Sequence, residues 1–208
     1  MTAYISSMAY PETKMRLGDM GYSVTELNEG DKPYPAVSSH PDMYMCRTKR
    51  GILRAESGEN RHYLAYNCVF LDKYLIHNLK FTSPRVLREA ENEALELINV
   101  RQGYTKCSCA VIDGRSVITA DRGIISALRG RDSDVLTVSP GHVLLDGFDY
   151  GFIGGTCGRA GEWMIFNGDL SFHPDGERIR DFIRARGLGI FEVPGKPLYD
   201  IGTVITSR

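Results

Sequence analysis

The chain has 208 residues, of which 42% are hydrophobic, and a formal net charge of −1. That length suits one domain or at most two small ones, and the apolar content suffices for a sizeable core. The near-neutral charge excludes an electrostatic footprint for nucleic acid or an anionic membrane, and no apolar run approaches the ~18 residues of a membrane span.

The N-terminus reads Met-Thr-Ala-Tyr-Ile-Ser-Ser, without the basic and apolar regions of a secretory signal. Five cysteines make an odd count, which argues against a disulfide framework and for a reducing compartment. A cytoplasmic protein is expected.

Met1 to Leu27 predicts strand, helix and strand, with Pro11 suited to the first helical turn and the helix running to Asp19. Asn28 to Ser39, with Gly30, Pro33 and Pro35, predicts a loop. Asp42 to Cys46, a turn at Lys49 to Gly51, and Ile52-Leu53 form a strand pair with no convincing helix after it. Glu56 to Arg61 is polar and reads as an exposed connection. Asn67 to His77 forms a second pair around Asp72-Lys73. Val86, Leu87, Ala90 and Ala94 then mark a helix, and Leu95 to Val100 a strand.

Lys106 to Val138 is the clearest unit. Asp113-Gly114 between two β-branched runs signals a hairpin with a type I′ turn, which needs φ > 0. Asp121 is placed to cap a helix bearing Ile124, Ile125 and Leu128 on one face, and Gly130 to end it. Asp134 to Val138 reads as a buried strand. Pro140 to Phe152, which contains Asp149, is a Gly- and aromatic-rich loop of the kind that carries function or packs as a lid. A strand pair up to Phe166, a helix with Ile179, Phe182 and Ile183 ending near Gly187, and a strand from Ile190 to Val193 follow. The final strand, Ile201 to Thr206, can pair with Thr2 to Ser7.

The strand pair thus recurs five times, once split across the termini, and in all but the Asp42 to Leu53 pair a helix and a further strand follow. This predicts a single α/β domain over residues 1–208, a five-unit pseudo-fivefold β/α propeller whose ring is closed by the N- and C-terminal strands. The carrying segments are His40-Pro-Asp-Met, Tyr66-Asn67, Val100-Arg-Gln-Gly-Tyr-Thr-Lys-Cys, Gly147-Phe-Asp-Tyr-Gly-Phe-Ile-Gly-Gly, Phe166-Asn-Gly-Asp-Leu and Leu198-Tyr-Asp-Ile-Gly. Through them the chain resembles an uncharacterised bacterial family assigned to the pentein fold of the guanidino-group-modifying enzymes. For the deiminases, amidinotransferases and dimethylargininases the resemblance is architectural only, and fold alone does not transfer function.

In those enzymes a cysteine near the C-terminus attacks the guanidinium carbon, a histidine serves as acid and base, and carboxylates hold the cation. The last strand here, Asp200-Ile-Gly-Thr-Val-Ile-Thr-Ser-Arg, has no cysteine, so that mechanism does not transfer by position. Aligning the strand pairs on their turns puts Asp42, Asn67 and Ser108 in register, with Asp200 and Gly154-Gly155 at the corresponding unit starts. Their convergence would make a polar site, for which Asp42, Asn67, Lys106, Asp149 and Asp200 are the binding candidates. His40 is the candidate acid–base. Cys107, beside the cation of Lys106, and Cys157, in a glycine-rich loop, are the candidate nucleophiles. Cys107 and Cys109 share a strand face, but no second ligand pair lies at a metal-site spacing, so neither metal nor cofactor is expected. His173-Pro-Asp175 precedes a helix, where Asp175 or Ser171 would act as a cap.

Two functions stay open. One is an enzyme, or former enzyme, acting on a small cationic guanidino or amidino compound. The other is a non-catalytic small-molecule-binding or protein-interaction module. A small-molecule partner is expected, nucleic acid and membrane are not, and the aromatic loop Phe148 to Phe152 leaves monomer and homodimer open.

Overall fold

The computed structural model describes residues 1–28, 35–57, 59 and 62–207. In chain order it contains β1 (Thr2–Ser6), α1 (Pro11–Asp19), β2 (Ser23–Leu27), β3 (Met45–Arg47), β4 (Ile52–Arg54), β5 (Val69–Phe70), β6 (Tyr74–His77), α2 (Pro84–Asn92) and β7 (Glu96–Asn99). There follow α3 (Thr105–Ser108), β8 (Cys109–Val111), β9 (Ser116–Thr119), α4 (Arg122–Leu128), β10 (Asp134–Thr137), β11 (Cys157–Ala160), β12 (Trp163–Phe166), α5 (Gly176–Arg184), β13 (Gly189–Phe191) and β14 (Ile205–Thr206). Single 3-10 turns lie at Pro41–Met43 and Ile153–Thr156, among others. Among the described residues no helix is long and apolar enough to cross a membrane. The expected loop from Asn28 includes Gly30 and Pro33, and the expected connection from Glu56 includes Arg61; residues 29–34, 58, 60 and 61 lie outside the described residues.

Among the described residues the strands form five separate sheets, ordered β14-β1-β2, β3-β4, β5-β6-β7, β8-β9-β10 and β11-β12-β13. In three of them an antiparallel hairpin is followed by a helix and a parallel strand. In the first, the antiparallel partner comes from the other end of the chain: Ala3 pairs with Thr206 and Tyr4 with Ile205. Among the described residues the β3-β4 pair has no third strand and no helix after it.

This arrangement overturns the expected pentein-type propeller. Among the described residues the sheets hold only two or three strands each, no ladder joins one sheet to the next, and none is closed or propeller-like. Hydrophobic and turn periodicity specifies each unit locally. It says nothing about how the units meet, which side-chain packing decides.

That packing runs between neighbouring sheets. Ile76 and Ile98 meet Cys109, Val117 and the α4 residues Ile124 and Leu128. Ala110 and Ile118 meet Met164, Phe166 and the α5 residues Ile179 and Ile183. Ala3 and Ile5 meet Ala160 and Ile165. Each fully buried Ile or Leu contributes about 1.5–3 kcal/mol relative to exposure.

Local signals decide the element ends. Ser83 caps α2 through its hydroxyl to Arg85 N, at 3.2 Å, and Asp121 caps α4 by accepting from Ile124 N at 2.8 Å. Asp175 stands at the N-terminal boundary of α5, but its carboxylate takes Ser139 N at 2.7 Å instead of capping the helix. The Asp113-Gly114 turn lacks the expected positive φ. Instead Asp113 Oδ1 accepts from the backbone N–H of Arg115 and Ser116, at 2.8 and 2.7 Å, which is an Asx turn. A Cβ at Gly114 would meet the exposed carboxylate of Asp72 on the neighbouring hairpin, which would have to swing aside.

Candidate functional site

The segment Lys106 to Ser108 was expected as strand and instead forms the short helix α3. The reason comes from a distant residue. Asn67 Oδ1 accepts from the backbone N–H of Lys106 at 2.8 Å and of Cys107 at 3.4 Å, holding those donors at the helix start. Asn67 Nδ2 points to Cys107 Sγ at 3.4 Å. The Cys107 thiol donates to Asp42 Oδ2 at 2.8 Å.

Asp42 lies in the 3-10 turn Pro41–Met43, which Pro41 opens and His40 precedes in extended conformation. Its backbone N–H reaches Gly202 O at 3.4 Å, which ties this turn to the C-terminal segment. Asp200 accepts from Phe152 N at 2.9 Å and Gly202 N at 3.0 Å, and its Oδ1 stands 3.8 Å from His40 Nδ1. Glycines permit this approach: a Cβ on Gly155 would overlap Asp200 Oδ1, and one on Gly202 would overlap His40 Cβ.

The structure therefore brings together His40, Asp42, Asn67, Cys107 and Asp200, all buried. Lys106 stands beside them, but its ammonium is turned away, to Thr203 Oγ1 at 2.8 Å and to the carbonyls of Cys109 and Gly154 at 3.3 and 3.5 Å. Cys157 is buried in β11, with its thiol on Ile153 O at 3.7 Å. Asp149 is exposed on its loop. Thr203, which sequence reading did not single out, anchors Lys106 from a left-handed backbone at φ 72° and donates to Cys157 O at 2.6 Å. Nothing in a lone threonine signals that role.

The electrostatics differ from the sequence reading. Lys106 was expected to lower the Cys107 pKa. Instead burial pushes that thiol well above its ordinary range, and the negative charges of Asp42 and Asp200 push it further. Burial also raises Cys157 to about 11. Asp42 is raised to about 7, chiefly by burial, with the Cys107 hydrogen bond opposing and the charge of Asp200 adding. Burial lowers His40, against the pull of Asp200. Burial thus favours the neutral form of each of the three groups: the thiol, the imidazole and the Asp42 carboxyl. His40 Nδ1 and Asp42 Oδ1 are buried without a hydrogen-bond partner. Leaving such groups unpaired costs about 1–3 kcal/mol each.

Residues 54–205 match the model of a protein family described as "Family of unknown function (DUF6873)", a span that contains Asn67, Lys106, Cys107 and Asp200 and begins after His40 and Asp42. No curated protein matches the chain.

Proposed function

Because the chain belongs to the DUF6873 family of unknown function, its role has to be read from its own geometry, and we propose that the buried cluster receives a small cation. One observation carries this reading: the Asp42 carboxylate is fully buried, one of its oxygens has no partner, and the adjacent ammonium of Lys106 is bonded elsewhere. A second buried carboxylate, Asp200, lies close enough to raise its proton affinity. An incoming cation relieves that repulsion and supplies the missing partner.

Guanidino and amidino compounds are the organic ligands of this class. Their planar, multi-donor cation suits a buried carboxylate that has an oxygen without a partner. Cys107, touching Asp42, supports a thiol reaction once a bound cation lowers its pKa. The five free, buried cysteines support a reducing, cytoplasmic setting.

The test is a thermal-shift screen with arginine, agmatine and methylarginines on the wild type and on Asp42→Asn. A ligand at 100 times its dissociation constant adds about 2.7 kcal/mol of stability. The wild type should shift and Asp42→Asn should not, while its ligand-free melt stays level or rises, since no buried cation loses a partner. An equal shift in both proteins would refute the site.

A further inference from the structure

We propose that His40, Asp42 and Cys107 form a binding site for a thiophilic divalent transition-metal ion, of which Zn²⁺ is the type. This rests on the reading that the cluster receives a cation, and it names that cation.

The geometry comes first. One ligand atom from each of the three residues lies within 4.8 Å of the other two, and all three residues are buried. Zinc bonds of about 2.0–2.3 Å set tetrahedral ligand atoms roughly 3.3–3.8 Å apart. The 2.8 Å contact between Cys107 Sγ and Asp42 Oδ2 would open slightly, and the imidazole would close in.

Unsatisfied atoms supply the second, independent observation. His40 Nδ1 and Asp42 Oδ1 are buried and lack any hydrogen-bond partner, in residues only 2% and 0% exposed. Two such atoms left open on residues that, with Cys107, have ligand atoms within 4.8 Å of one another are what a metal ion would complete.

The donor set then selects the ion. Nitrogen, oxygen and sulfur together suit zinc and cobalt, while Mg²⁺ and Ca²⁺ take oxygen ligands. On binding, the Cys107 S–H bond breaks, a metal–sulfur bond forms, and the proton leaves to solvent. The thiolate and the Asp42 carboxylate then balance the two positive charges. Asn67 Nδ2, 3.4 Å from Cys107 Sγ, is placed to hold the thiolate from outside the coordination sphere.

The experiment titrates reduced, metal-free protein with Co²⁺ alone, reading the thiolate-to-cobalt charge-transfer band, and with Zn²⁺ alone, reading the melt. One Co²⁺ per chain with that band is expected in the wild type. Zn²⁺ at 100 times its dissociation constant should raise the midpoint by roughly 5–10 °C. Cys107→Ser should lose the charge-transfer band, and Cys46→Ser, a buried cysteine outside the cluster, should keep it. Should Cys107→Ser fail to fold, His40→Gln decides instead, with an expected 10-fold or greater loss in Co²⁺ affinity. A wild type without the band, or a band that persists in Cys107→Ser, overturns the inference. Organic cations shifting the melt while Co²⁺ gives no band would sink the metal site and leave the proposed function standing. Silence from both would sink both.

Discussion

Asp42 and Cys107 stand 65 positions apart in the chain and touch through a thiol-to-carboxylate hydrogen bond of 2.8 Å. Cys107→Ala removes the donor at Asp42 Oδ2 while Oδ1 already lacks one. It should destabilise the protein by about 1–3 kcal/mol in urea unfolding, and Cys107→Ser, which restores a donor, should cost less. A Cys107→Ala protein as stable as the wild type would show that the contact contributes nothing.

Thiol accessibility follows from burial. All five cysteines are free and buried, and Cys107, Cys109 and Cys157 have raised pKa values. A thiol reagent at pH 7–8 should label none of them in the native protein and all five in denaturant. Rapid labelling of one thiol in the native state would contradict this electrostatic picture.

Two glycine substitutions should act with opposite sign. Gly155→Ala places a Cβ on the Asp200 carboxylate and should cost about 1–3 kcal/mol. Gly18, exposed in α1, has open space where a Cβ would go. Gly18→Ala should stabilise by about 0.4–1 kcal/mol through the unfolded state. Calorimetric melts of the two variants give the comparison, and equal signs would count against the packing described.

His77 should impose an acid limb on stability. It is buried, with Nδ1 2.7 Å from Thr82 Oγ1, and burial holds its pKa near 4 against 6.5 for an ordinary histidine. Between those values the unfolded chain binds more protons, so this contribution is complete above pH 6.5 and is lost as pH falls toward 4. The loss should approach about 3 kcal/mol. His77→Gln should flatten that limb in a pH series of urea melts, and an unchanged slope would show that another group produces it.

Ending the chain after Gly202 should abolish cooperative unfolding. The truncation strips β14 from β1 and removes Thr203, the anchor of Lys106. It also exposes the β1 edge. A sharp melt at an unchanged midpoint would show that the C-terminal strand is dispensable.

Local structure was legible in the sequence wherever short-range chemistry decides it. The extent of α1 from Pro11 to Asp19, the cap at Asp121, the positive-φ glycines 130 and 187, and the pairing of the terminal strands all follow from residue type and period. The alignment of the unit starts also pointed to Asp42, Asn67 and Asp200, which the structure brings together in one buried cluster. The arrangement of the units was not legible, because five similar motifs fit many mutual packings and only side-chain interdigitation selects one. The state of Cys107 was not legible either. Its sequence neighbour is a cation, but Lys106 is drawn to Thr203 and the Cys109 and Gly154 carbonyls, while a carboxylate 65 residues away meets the sulfur. Charge acts through space and through burial, so the tertiary structure alone decided that this thiol is held protonated.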